Sequence, residues 1–167
     1  MIKRFYVHNF RSLQNFELPV NGDPSALLIG RNGAGKSSVG MALEILQKIG
    51  RGINRVGDLI CENDVSRGRK DEPLRIELEV SLHGATYSYK IAFELPPNFR
   101  EYRILEERLA VNGEIKFDRE IADLKFPGTG RPADTMRFDW HLVWLPVAQA
   151  RSEEDAIDIF RKWLARM

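Results

Sequence analysis

The stretch Gly30-Arg31-Asn32-Gly33-Ala34-Gly35-Lys36-Ser37 decides the reading of this 167-residue chain. Its spacing, G-x-x-x-x-G-K-[ST], is that of a loop that cradles phosphates. Gly33 and Gly35 put no Cβ into the concavity and tolerate positive φ, so successive backbone N–H groups can wrap a polyphosphate. Lys36 then reaches the β and γ phosphates. Ser37 offers its hydroxyl to Mg²⁺, a hard cation usually held by one or two protein groups plus phosphate and water. The pattern implies binding of a nucleoside triphosphate.

The flanks fit that reading. Residues 25–29, Ser-Ala-Leu-Leu-Ile, predict a short strand buried on both faces that delivers the chain into the loop. From Ser38 the period turns helical. Val39, Ala42, Leu43, Leu46 and Ile49 recur at steps of three and four, Gly50 is placed to end the helix, and Gly52 follows. Upstream, Ile2, Phe5 and Val7 mark one strand. Residues 15–20 mark a second, closed by the turn cluster Asn21-Gly22-Asp23-Pro24.

Further along, the period becomes two. Ile76, Leu78, Val80 and Leu82 face one way against Glu77 and Glu79. After His83-Gly84, Tyr87, Tyr89, Ile91 and Phe93 face one way against Ser88, Lys90 and Glu94. The run at 104–111 enters Asn112-Gly113, a strong two-residue hairpin signal, and leaves through 114–117. The tyrosines could stack on a base, but their alternation reads as core. Between helix and meander, residues 51–71 carry Arg51, Arg55, Arg67, Arg69 and Lys70. Asp58, Glu62, Asp64 and Asp71 dilute that charge, so a solvated loop is expected rather than a nucleic-acid surface.

The stretch VHNFRSLQNFEL at residues 7–18, followed by GRNGAGKSS at 30–38, resembles the amino-terminal lobe of ABC-type P-loop ATPase heads of the SMC/RecF/overcoming-lysogenization-defect (OLD) superfamily. The elements that carry the likeness are Asn9-Phe10-Arg11-Ser12 and the Asn-Gly-x-Gly-Lys-Ser loop. The resemblance implies an α/β P-loop NTPase lobe with an antiparallel β subdomain, binding ATP and Mg²⁺. It implies nucleotide contacts from Asn32, Gly33, Ala34, Gly35, Lys36, Ser37 and Ser38, with Ser37 on the metal. Arg11 would approach the phosphates, as a guanidinium fork suits phosphate oxygens; the alternative is a surface arginine at a strand end.

Relatives of this kind hydrolyse ATP with an aspartate after an apolar strand, an adjacent glutamate and a Leu-Ser-Gly-Gly-like signature. No apolar run here ends in Asp-Glu, and no signature segment is present. Glu106-Glu107 follows only Ile104-Leu105, in a segment that alternates like an exposed strand, so no catalytic residue is identifiable. The chain reads as one incomplete ATPase domain. Residues 1–60 hold strands, loop and helix; 73–120 an antiparallel β lobe; 138–167 a buried strand and an amphipathic helix. The strand is the run Trp140, Leu142, Val143, Trp144, Leu145, closed by Pro146, with Gln149 just after it a candidate sensor of Mg²⁺ and water. The helix has a capping box from Ser152 to Asp155 and an apolar face at Ala156, Phe160, Trp163 and Met167.

The resemblance implies a carboxy-terminal lobe as partner, in the same parent chain or as a separate polypeptide, and a head-to-head homodimer when complete. Processes of the DNA-repair or phage-defence type follow from it. The alternative is a non-catalytic module in which nucleotide promotes assembly through the terminal helix. A small GTPase or nucleotide kinase, which would share the phosphate loop, is the other open alternative, although the Asn-Lys-x-Asp element typical of guanine readers is absent and Asn9-Phe10-Arg11-Ser12 fits neither class. Lys plus Arg number 25 against 24 for Asp plus Glu, a net charge of +1 that points to neither DNA nor a membrane surface. One cysteine, Cys61, makes no internal disulfide, and no segment has the length of a membrane span, so a cytoplasmic setting is expected.

Overall fold

Period-two alternation drives eight segments of the chain into strands, and 3.6-residue periodicity sets two helices on them. The computed structural model describes residues 1–18, 20, 27–127, 134–149 and 155–167. The strands are β1 (Ile2–His8), β2 (Phe16–Leu18), β3 (Leu74–Leu82), β4 (Ala85–Glu94), β5 (Arg103–Val111), β6 (Glu114–Glu120), β7 (Asp123–Phe126) and β8 (Asp134–Arg137). They form one eight-stranded sheet in the order β2-β1-β3-β4-β5-β6-β7-β8. Every neighbouring pair is antiparallel. The meander expected beside a phosphate-loop sheet is therefore continuous with β1 and β2, and no described strand pair is parallel.

One face of the sheet is apolar. Phe5 and Val7, the alternate residues Leu74 to Leu82 of β3, and Tyr87, Tyr89, Ile91 and Phe93 of β4 are buried in a single core. Burying each such side chain contributes about 1.5–3 kcal/mol relative to exposure. The opposite face is a field of cross-strand ion pairs, among them Arg4–Glu77, Lys90–Glu106 and Arg108–Asp118. Asn112 and Gly113, with φ of 52° and 81°, make the tight turn between β5 and β6.

Helix α1 (Lys36–Gly50) buries Val39, Ala42, Ile45, Leu46 and Ile49. Helix α3 (Ala156–Arg166) inserts Phe160, whose ring stacks on Tyr87 at 5.8 Å and lies 5.5 Å from Tyr89. The tyrosines are core, and the apolar stripe of α3 is covered within this domain. Gly50 ends α1, as its sequence position suggests, and a second constraint acts on it there. A Cβ there would lie 2.5 Å from the Ala165 amide nitrogen and 2.6 Å from Leu164 Cβ, so the α1–α3 crossing requires a glycine. Arg51 Nε and Gln47 Nε2 then donate to the carbonyls of Ala165 and Met167. At the other end of α3, Asp155 is the cap itself, accepting the Ile157 N–H at 2.9 Å, rather than the far partner of a box begun at Ser152; Ser152 lies outside the described residues.

Three expectations give way. Leu27, Leu28 and Ile29 form no strand: Leu27 and Ile29 are 84% and 85% exposed, and no strand of the sheet pairs with them, although β2 lies at its edge. Ser25 and Ala26 lie outside the described residues, as does the turn cluster at 21–24. Residues 140–145 also form no strand, though Val143 and Leu145 are fully buried; the chain turns there and enters a 3-10 turn at Leu145–Val147. The connection 51–71 is not simply solvated. It contains α2 (Val56–Leu59) and two 3-10 turns, and it buries Val56, Leu59, Ile60 and Val65, with Lys70 paired to Glu62 and Arg69 to Glu72.

Candidate nucleotide site

The chain reaches α1 through a glycine loop at residues 30–35. Gly33 and Gly35 have φ of 82° and 91°, which L side chains rarely adopt. Gly35 is the N-cap of α1 and no side chain caps it; the first turn, Lys36-Ser37-Ser38, contains no acid. The first intrahelical bond is Val39 N–H to Gly35 O at 3.0 Å, which leaves the amides ahead of it pointing outward from the positive end of the helix. Lys36 Nζ donates to the loop's own carbonyls, Gly30 O at 2.5 Å and Arg31 O at 2.8 Å. Asn32, Gly33, Ala34 and Ser37 are exposed.

The donor set is amides, one ammonium and hydroxyls, with no carboxylate in the loop, and that chemistry fits a polyphosphate. Among the described residues no cluster of His, Cys, Asp and Glu is arranged to hold a cation by itself. A Mg²⁺ at Ser37 would therefore share its shell with phosphate and water.

The Asn9-Phe10-Arg11-Ser12 element is folded against this loop. Asn9, fully buried with φ of 54°, donates through Nδ2 to the carbonyls of Arg69 and Glu72. Phe10 and Leu13 exchange backbone bonds in a tight turn. The Ser12 hydroxyl lies 3.0 Å from that of buried Ser38, and Ser12 Oγ and Leu13 Cδ2 both approach to 3.0 Å of where a Gly35 Cβ would stand. Arg11 bonds to Asp64, at 2.9 Å from Nε and 2.7 Å from Nη2. The structure thus joins Arg11's segment to the residues 35–38, while Gln149 stands apart, exposed and not behind a strand.

Sequence reasoning missed a second polar cluster. Glu107 and Arg119 face each other in register on β5 and β6, both buried. Glu107 accepts from Tyr89 Oη at 2.9 Å and from the amides of Trp144 and Leu145 at 2.8 and 2.9 Å. Arg119 donates to the carbonyls of Ile121, Leu142 and Asp139. Burial pushes the Glu107 carboxyl up and the Arg119 guanidinium down, each opposed by the other's charge. Every donor goes to neighbouring backbone, so the pair organises chain rather than presenting a reactive group. Glu106, by contrast, lies on the charged face with Arg75 and Lys90, so the two glutamates share no site. The signal that could have found the cluster was the placement of Glu107 in step with Leu109, and of Arg119 in step with Phe117.

A glycine loop feeds an uncapped helix on an α/β scaffold whose described strands are all antiparallel, unlike the parallel sheet of the classic P-loop fold. The chain belongs to the AAA ATPase domain family, which matches residues 1–125 and so takes in the loop, α1 and the sheet through β6. Proteins of that family generally use ATP and Mg²⁺. No curated protein matches the chain. Among the described residues no helix is long and apolar enough to cross a membrane.

Proposed function

We propose that the chain is the amino-terminal lobe of an ATPase head of the SMC/RecF/OLD type, binding ATP with Mg²⁺ on Asn32, Gly33, Ala34, Gly35, Lys36, Ser37 and Ser38, with Arg11 alongside. Hydrolysis then needs a carboxy-terminal lobe, from the same parent chain or a separate polypeptide, to bring the carboxylates that hold the metal and activate water. The complete head would pair with a second copy and work in the cytoplasm, in a process of the DNA-repair or phage-defence type. The observation that carries this reading is Lys36: its ammonium has no acidic partner among the described residues and folds onto the carbonyls of Gly30 and Arg31. A phosphate oxygen is a stronger acceptor than a peptide carbonyl, so a bound polyphosphate would draw the ammonium off. The exposure of Leu27, Leu28 and Ile29 beside the loop supports a lobe that is completed by other chain.

Within this chain the loop amides orient the phosphates, Lys36 neutralises their charge and Ser37 supplies one oxygen to the metal. Calorimetric titration of MgATPγS into the full chain and into Lys36→Ala tests the site. Losing a charge-assisted contact should weaken binding about tenfold to hundredfold. Equal affinity in both proteins would refute it. A mixture with the carboxy-terminal lobe that bound ATP without turnover would sink the hydrolytic part.

A further inference from the structure

We infer that Asp64 is the positioning residue for Arg11, fixing the arginine and the bend that carries it against the phosphate loop; this rests on the nucleotide-site reading above. Asp64 is buried at the end of a 3-10 turn, Glu62–Asp64, in a connection that composition alone describes as solvated. Its oxygens are divided between two tasks. Oδ2 accepts from the Cys61 amide at 3.0 Å and from Cys61 Sγ at 3.3 Å, which holds the carboxylate in place. Oδ1 accepts from both Nε and Nη2 of Arg11, and the Asp64 carbonyl accepts the Arg11 amide at 2.7 Å.

Three bonds from one residue thus hold Arg11 at a φ of 51°, a backbone conformation that an arginine adopts only when its surroundings impose it. Two more links extend the clamp on either side, a bridge between Phe10 and Val65 and a bond from Ser66 N–H to Asn9 O. The next residues, Ser12 and Leu13, are the ones that touch Ser38 and crowd Gly35. The Asp64 clamp is therefore transmitted to the start of α1 within two residues.

The geometry also says which edge of the guanidinium is left over. With Nε and Nη2 turned toward Asp64, Nη1 has no protein acceptor among the described residues, and the Arg11 side chain is 37% exposed. A guanidinium gripped along one edge presents the other as a fixed fork, the arrangement that suits phosphate oxygens. Asp64 acts on the nucleotide only through Arg11.

The test is a double-mutant cycle on the full chain, with MgATPγS affinity measured for the parent, Arg11→Ala, Asp64→Asn and the double variant. Arg11→Ala should weaken binding about tenfold or more, as expected for a charged hydrogen bond. Asp64→Asn should weaken it by a smaller factor, and the double variant should be no weaker than Arg11→Ala alone. In the same samples the phosphorus NMR resonances of bound ATPγS should move in the same direction in Asp64→Asn as in Arg11→Ala, a signature that a merely structural defect would not copy. Tighter binding by Asp64→Asn, unchanged binding, or a full additive loss in the double variant would overturn the inference. Unchanged affinity in Arg11→Ala, with Lys36→Ala weakened, would overturn it while leaving the phosphate loop intact; unchanged affinity in Lys36→Ala as well would remove the site reading with it. Should Asp64→Asn not fold, Arg11→Lys serves, since lysine keeps the charge without the fork: binding close to the parent's would overturn the inference, and a loss near that of Arg11→Ala would support it.

Discussion

Residues 27–29 and 140–145 are both short apolar runs outside the ladder of the sheet, yet they end in opposite environments. Leu27 and Ile29 stand in solvent beside the phosphate loop, whereas Val143 and Leu145 have no accessible surface. The difference lies in what answers their backbone. At 139–145 a buried acid and a buried base do so: Glu107 takes the amides of Trp144 and Leu145, and Arg119 supplies donors to the carbonyls of Asp139 and Leu142. A segment with its polar atoms satisfied can bury its side chains without a strand partner. Residues 27–29 have no such donors among the described residues, and their side chains stay out. The buried run belongs to the core, and the exposed run adjoins the glycine loop ahead of α1.

The sharpest way to break this comparison is to remove the acid. Glu107→Ala leaves Arg119 as an unpaired buried charge and frees two amides, and should destabilise the domain by about 3–5 kcal/mol in denaturant unfolding. A loss below about 1 kcal/mol would mean that packing and the backbone bonds to Asn54, Val56 and Ile104 hold 140–145 without it. At the open end, Lys36→Ala should cost about 1.5–3 kcal/mol of MgATPγS binding while leaving the unfolding midpoint near the parent's. Gly50→Ala tests the cover over the core: its Cβ would press on Leu164 and Ala165, and should cost about 1–3 kcal/mol through displacement of α3. Leu27→Ser should change the stability of this chain by no more than about 0.5 kcal/mol, as a solvent-facing residue does. A larger drop would place 27–29 in the core after all.

The smallest expected effect concerns pH. Asp158 on α3 is held below its ordinary value of 3.8, chiefly by hydrogen bonding to Lys162 and also to Arg161, which in turn donates to the Pro146 carbonyl. A depressed carboxyl contributes stability that is present above its unfolded value and lost as pH falls through the folded one. Acid unfolding below pH 3.8 should therefore be shallower in Asp158→Asn than in the parent. Parallel acid limbs would show that Asp158 does not tie α3 to the 145–147 turn.

Much of the sheet was legible because β3 and β4 alternate without interruption, from Leu74 to Leu82 and from Tyr87 to Phe93, and because Asn112-Gly113 allows one turn geometry. The face of α1 was legible for the same reason, at Val39, Ala42, Leu46 and Ile49. Apolar runs without a period carry less. A run of four or five apolar residues has the same composition in a buried strand, a packed 3-10 turn or an exposed docking edge, and only the neighbours decide among them. Glu107 and Arg119 hid for a related reason: each looks like a surface charge until the register sets them opposite each other inside the core. Gly50 ends α1 as its position suggests, but the constraint that excludes a Cβ there lies on another helix more than a hundred residues away.

The sequence alone located the glycine loop ahead of α1 and its positive φ values, because Gly33 and Gly35 act through the backbone conformation of a few consecutive residues. It also determined which strands alternate and where hairpins turn, since those depend on neighbours one or two residues away. Tertiary structure alone decided that Asp64 holds Arg11, that Ser12 meets Ser38, that a buried ion pair pins 139–145, and that 27–29 stays exposed. Each of those depends on bringing together residues 12 to 53 positions apart, or on failing to, and the energy of such a contact is set by desolvation and hydrogen-bond geometry that no single segment contains.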